Sequence, residues 1–191
     1  KEKNLSENIK EVIRHGNEVL EVITKDHFGY IWAMVHTNIG IAYSECIDGN
    51  RSQNYELAID HLSNAAEFYS QSGNSQQWSK VACNLAQIYT YRIKGVHFEN
   101  LEKSINLLKR ILDVCNSSNE PLTWATAHFG LASVYSAHVG KTMERNPDRA
   151  IKHYSKALES FTKKEHPFMW ATIHNNLSTI YAENLRGEKS I

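Results

Sequence analysis

The sequence predicts an all-α solenoid of about eight helices stacked as successive pairs, and three observations carry that prediction. The four tryptophans, Trp32, Trp78, Trp124 and Trp170, stand 46 residues apart three times in succession. A tyrosine follows each by 11 residues (Tyr43, Tyr89, Tyr135, Tyr181), and an asparagine follows the first three by 22 (Asn54, Asn100, Asn146), with Asn8 in phase upstream. Apolar residues recur at 0, 3, 7 and 11 from each tryptophan, which is one face of an α-helix. A strict period of this length marks units that bury their apolar faces against one another.

Taken in chain order, residues 1–24 read as the second helix of a repeat, with Ile13, Val19, Leu20 and Ile23 as its stripe. Three full repeats follow at 30–70, 76–116 and 122–162, and the first helix of a fourth at 168–185, all within one domain spanning 1–191. Their first helices, at about 30–47, 76–93, 122–139 and 168–185, carry Trp32, Val35, Ile39, Tyr43; Trp78, Val81, Leu85, Tyr89; Trp124, Ala127, Leu131, Tyr135; and Trp170, Ile173, Leu177, Tyr181. The Trp and Tyr columns are expected in the core. Gly40, Ala86, Ala132 and Ser178, one residue past the third apolar position, are small enough for a neighbouring helix to approach closely.

A polar connection with glycine (Gly49, Gly95, Gly140, Gly187) ends each first helix, where a left-handed cap suits glycine. The asparagine column is expected to cap the second helices, each with an acidic residue close behind: Asn8 with Glu11, Asn54 with Glu56, Asn100 with Glu102, Asn146 with Asp148. Pro147 suits the first helical position. The second helices carry Ile59, Leu62, Ala65, Tyr69; Ile105, Leu108, Ile111, Cys115; and Ile151, Tyr154, Ala157, Phe161. The segments 70–75 and 116–121 are turn-prone.

The strings N-L-A-x-x-Y at 84–89 and N-L-S-x-x-Y at 176–181, with Ala58, Ile59, Leu62 and Ala150, Ile151, Tyr154, resemble the tetratricopeptide repeat. That family's unit is about 34 residues, so this version is longer by about 12. The W-A-x-x-x-x-N-L-x-x-x-Y form is similar to the long tetratricopeptide repeats of bacterial proteins that join such arrays to a caspase-like CHAT peptidase domain. The resemblance covers essentially the whole chain. It implies a right-handed α-solenoid of antiparallel helix pairs. A second helix at 1–24 without its first, and a first helix at 168–185 without its second, lead to the expectation that the chain is a section of a longer array.

Composition narrows the function classes. Lys plus Arg and Asp plus Glu both number 21, which leaves no electrostatic footprint for nucleic acid or an anionic membrane. Cys46, Cys83 and Cys115 form no C-x-x-C pair, so neither a disulfide framework nor a zinc ribbon is legible and a reducing, cytoplasmic setting is expected. No apolar run approaches the roughly 18 residues of a membrane span. Gly140-Lys141-Thr142 mimics the end of a phosphate-binding loop, but Tyr135 stands where that loop needs glycine. His36, His128 and His174 share one phase, too widely separated to share one zinc, so structural or solvent-facing histidines are expected. Cys83 and Cys115 read as small hydrophobes, and no cysteine sits in a Q-A-C-x-G setting. Neither cofactor, metal nor enzymatic activity is expected in this chain.

The asparagine column Asn38, Asn84 and Asn176, broken by Gly130, remains open between two readings. In the family it resembles, asparagine here faces a concave groove and hydrogen-bonds an extended peptide; the other reading is a structural bond to a neighbouring helix. Lys80 is the one cation among the early positions of the first helices, which argues against a carboxylate clamp. The candidate partner-binding face comprises Asn38, Ile41, Lys80, Asn84, Gln87, Tyr91, Phe129, Ser133, Asn175, Asn176 and Thr179. A protein or peptide partner is expected, without nucleic acid or membrane. Two further readings stand beside it: a regulatory array of a larger effector such as a CHAT-type peptidase whose catalytic domain lies outside this chain, and a spacer that self-associates through its terminal helices.

Overall fold

The tryptophan period sets the order of elements in the computed structural model, which describes residues 2–137 and 146–188, with side chains over 5–137 and 146–183. The described residues form eight helices and no strands. They fall into two units, residues 1–100 and 101–191. The first contains α1 (Glu2–Leu20), α2 (Lys25–Glu45), α3 (Arg51–Gln71) and α4 (Ser75–Tyr91), and the second contains most of α5 (His97–Val114) with α6 (Pro121–Ser136), α7 (Pro147–Ala157) and α8 (Pro167–Glu188). The motif Gly140-Lys141-Thr142 lies outside the described residues.

In the first unit each helix packs on the next in sequence, and α2 also touches α4. Ala33, Ala58, Leu62 and Ala65 are wholly buried where α2 packs on α3, and Ile39 is wholly buried against Gly16 of α1; each leucine or isoleucine so buried contributes about 1.5–3 kcal/mol. The small residue expected at position 40 is required: a Cβ on Gly40 would stand 2.6 Å from Leu62 Cγ and 3.2 Å from the Ala58 carbonyl. In the second unit Ala132, Tyr154 and Ala157 are buried where α6 packs on α7, and Ala127 and Leu131 of α6 and Ile173 and Ile180 of α8 are buried as well.

Several expectations require correction. Helix α2 begins at Lys25 rather than 30, with non-helical backbone at Phe28 (φ −137°, ψ 45°), so residue 30 is where regular helix resumes. Asn54 and Asn100 do not cap helices. Asn50 caps α3 by accepting from the Gln53 N–H (3.2 Å), whereas Asn54, one turn inside, donates to the carbonyls of Cys46 (3.2 Å) and Asp48 (2.9 Å). Asn100 likewise lies within α5 and donates to the Lys94 carbonyl at 2.8 Å. Both clasp the preceding connection, whose reversal uses Gly49 and Gly95 at φ +75° and +80°. Asn8 is also interior to α1. Asn146 alone of the column caps as expected, accepting from the Arg149 N–H at 3.0 Å, because Pro147 disfavours helical backbone at the residue before it.

Gly187 sits inside α8 rather than in a connection. Of the aromatic columns, Trp78 and Trp124 are buried, Trp32, Trp170, Tyr43, Tyr89 and Tyr135 are half-buried, and Tyr181 is exposed. Tyr181 stands open because no described helix packs on that flank of α8. Val19 of the α1 stripe is exposed for the same reason on the other unit, and Ile9, outside the expected stripe, is buried instead.

Candidate functional site

The helical period places Asn38, Ile41 and Glu45 on one stripe of α2, and Asn84, Gln87 and Tyr91 at the same offsets on α4. These two stripes border two clefts in the first unit. One, of about 230 Å³, is lined by Ile41, Ser44 and Glu45 of α2, Arg51 and Tyr55 of α3, and Asn84, Gln87, Ile88 and Tyr91 of α4. The other, of about 340 Å³, lies between α1 and α2 and is lined by Leu5, Asn8, Ile9, Val12, Asn38, Ile41, Ala42 and Glu45. Ile41 and Glu45 belong to both.

The polar groups facing the first cleft divide by commitment. Arg51 donates through Nε and Nη2 to the Tyr55 hydroxyl at 3.0 and 2.9 Å, leaving guanidinium N–H groups over, and pairs with no carboxylate among the described residues. Ser44 donates to the Ile41 carbonyl at 2.8 Å. The side chains of Asn38, Asn84, Gln87 and Glu45 hydrogen-bond no described residue. The half-buried Asn84 amide therefore leaves two donors and two acceptor lone pairs free. Tyr91, 59% exposed, presents its ring at the rim.

The clefts thus bring together Asn38, Ile41, Asn84, Gln87 and Tyr91. Lys80 is exposed on α4 and lines neither cleft. In the second unit Asn176 Nδ2 donates to the Tyr154 hydroxyl at 3.0 Å, Ser133 Oγ lies 3.3 Å from the same oxygen and donates to the Phe129 carbonyl, and the Phe129 ring rests 5.8 Å from that of Tyr154. Ser133 and Asn176 therefore satisfy a buried tyrosine. Asn175 and Thr179 are exposed, with Thr179 donating to the Asn175 carbonyl at 3.1 Å.

Glu45, Arg51 and Tyr55 escaped the sequence reading. Glu45 shares a phase with Tyr91 and was legible from it; Arg51 is the first residue of α3, in a stretch that the sequence reads as connection and where periodicity carries no signal. The histidines also form pairs that the reading missed. His36 Nδ1 of α2 faces His61 Nδ1 of α3 at 3.1 Å, and 92 residues on, His128 of α6 faces His153 of α7 at 2.7 Å. Each pair is flanked by the tryptophan of its first helix (Trp32–His36 4.2 Å, Trp124–His128 4.5 Å) and by the tyrosine that follows (Tyr43–His61 5.9 Å, Tyr135–His153 5.7 Å). Burial, and then the facing ring, push His36 and His128 down to about 4, so both pairs are neutral at pH 7, one ring donating and the other accepting. Among the described residues no cluster of three or more His, Cys, Asp or Glu is disposed to hold a metal ion, and no helix is long and apolar enough to cross a membrane. The chain matches no protein-family model and no curated protein.

Proposed function

We propose that the chain is a peptide- or protein-binding module of the tetratricopeptide type, a right-handed solenoid of antiparallel helix pairs that works in the cytoplasm and holds its partner on the faces of its first helices. The observation that carries the reading is the pair of uncommitted amides, Asn38 and Asn84, in the same phase of two helices that touch. At an interaxial spacing of about 8–10 Å, an extended peptide rising about 3.3 Å per residue meets the two amides about three residues apart. Each amide offers both a donor and an acceptor, which is what a peptide backbone requires. Tyr91 supplies an aromatic anchor, and Glu45 and Arg51 read charge on the side chains between. The second unit offers less, since Ser133 and Asn176 are occupied by Tyr154.

A random-peptide display selection against the chain, run beside a variant carrying Asn38→Ala, Asn84→Ala and Tyr91→Ala, tests this. The native chain is expected to enrich related sequences that the variant binds at least about 10-fold more weakly. Enrichment of the same peptides by both proteins would move the binding face elsewhere.

A further inference from the structure

Packing does not require the arginine and tyrosine that meet in the cleft between α2, α3 and α4. Along the 46-residue period the same two positions hold Leu5 and Ile9, Arg51 and Tyr55, His97 and Leu101, and Met143 and Pro147. Ile9, Tyr55 and Leu101 are alike buried, at 6%, 5% and 1% exposure, so the repeat needs bulk at the second position and no hydroxyl. The Tyr55 hydroxyl acts instead on Arg51. By accepting from Nε and Nη2 at 3.0 and 2.9 Å it holds the guanidinium at the cleft wall, and three of the five N–H groups are left over. An arginine already fixed in this way loses little freedom when a carboxylate arrives.

An acid of matching status lines the same cleft. Glu45 enters from the last turn of α2 and is exposed, and neither it nor Arg51 forms an ion pair among the described residues. Tyr91, one period on, lines the cleft from α4 with 59% of its surface exposed. Because α2 and α4 touch, these two equivalent positions stand about one interhelical spacing, 8–10 Å, apart. A carboxylate on one side and an aromatic face on the other both attract a cation. The cleft thus offers separate receptors for one positive and one negative group. At about 230 Å³ it is smaller than the about 300–1,000 Å³ of sites that enclose a small-molecule ligand, a size that suits side chains of a longer segment.

Helix geometry sets which side chains. Glu45 and Tyr91 lie seven residues beyond Asn38 and Asn84, about 10 Å along the helix axes, so a group leaving a backbone held by the two amides reaches them only on a long stem, as in lysine or arginine. Arg51 is itself long and meets a shorter acid partway. Successive side chains of an extended segment point to opposite sides, and those on one side are two residues apart.

We propose that this cleft selects partner segments carrying a lysine or arginine and an aspartate or glutamate two positions apart, the cation held between the Glu45 carboxylate and the Tyr91 ring and the acid on the Arg51 guanidinium. The inference rests on the peptide-binding reading above and names the chemistry of the segment that fills it.

The test takes the peptides enriched by the native chain and measures the affinity of one of them, by fluorescence anisotropy, for the native chain, Glu45→Lys and Arg51→Glu. Both positions are exposed, and circular dichroism checks that each variant keeps its helices. Glu45 makes no hydrogen bond within the fold, so its exchange alone is decisive should Arg51→Glu disturb α3. The enriched segments are expected to share the charged pair at i and i+2. Each variant is expected to bind at least about 10-fold more weakly, and replacing the basic residue of the peptide by glutamate is expected to restore binding to Glu45→Lys, as replacing the acidic one by lysine does for Arg51→Glu. Variants that bind like the native chain, or losses that the exchanged peptides do not restore, would overturn the inference. Enriched segments without the charged pair, still lost on the triple Asn38, Asn84 and Tyr91 variant, would overturn it and leave the peptide-binding reading standing; no enrichment at all would overturn both.

Discussion

Acidification is expected to weaken the fold through its paired histidines. His36 and His128 titrate near 4 in the folded chain against an ordinary value of 6.5, first because burial disfavours the imidazolium and second because each faces another ring, His61 or His153. Asp60 opposes the shift at His36 and His61, while Lys156, Lys152 and Arg149 reinforce it at His153. The sign follows from proton uptake. Above 6.5 both folded and unfolded chains are neutral at these sites; as pH falls from 6.5 toward 4 only the unfolded chain takes up protons, so stability is lost across that window. A fall from 6.5 to about 4 corresponds to about 3 kcal/mol per site at about 1.4 kcal/mol per pH unit. The partial exposure of His61 and His153 brings the working figure to about 2 kcal/mol per pair. The carboxylates with lowered values, Glu11, Asp48 and Glu67, lose their contribution at lower pH, which separates them from the histidines. Urea unfolding between about pH 7 and about pH 4.5 measures the slope. The control is in the chain itself: Ala82 and Leu107 occupy the same two register positions in the middle repeat, with Ala82 fully buried. A variant carrying His36→Ala, His61→Leu, His128→Ala and His153→Leu is expected to flatten the slope. A native chain whose stability does not fall over that interval, or a quadruple variant with the native slope, would refute the reasoning.

Other predictions concern packing and polar contacts. Gly40→Val drives a side chain into Leu62 and the Ala58 carbonyl and is expected to cost about 1–3 kcal/mol in urea unfolding. Arg92→Met is expected to cost about 2 kcal/mol, because the guanidinium makes two hydrogen bonds to the Glu56 carboxylate (2.8 and 2.7 Å) and a third to Asn100 in a largely shielded position. Tyr154→Phe removes the hydroxyl that receives Asn176 and is expected to cost about 1 kcal/mol by thermal unfolding. Asn146→Ala, which removes the α7 cap, is expected to cost a similar amount, about 1 kcal/mol.

Much of the fold was legible because its strongest residues are also its most periodic ones. Trp78 and Trp124 are large, buried and 46 residues apart, and the first helices that have no kink start within one residue of expectation, at Ser75, Pro121 and Pro167, whereas α3 and α5 start a turn earlier than the asparagine column implied. The asparagine column misled because one side chain does two jobs: the same amide caps a helix at Asn146 and clasps a loop at Asn54 and Asn100, and only Pro147 distinguishes them. At the candidate site the α2 and α4 stripes followed from phase, whereas Arg51 enters from the first turn of α3, ahead of the expected helix start, and Asn176 is diverted by a tyrosine where the neighbouring repeats have Leu62 and Leu108. The histidine pairs did leave a signal, the 25-residue interval from His36 to His61 and from His128 to His153, but an interval across a loop has meaning only once the helices are known to face each other.

The most direct test of partner binding on the first-helix faces is an NMR titration of the isotope-labelled chain with a peptide from the display selection, following the side-chain amides of Asn38, Asn84 and Gln87. The account predicts that all three shift together and saturate with one affinity, with backbone changes concentrated in α2 and α4. Saturable shifts confined to α3, α5 or α7, with these three amides unmoved, would contradict it.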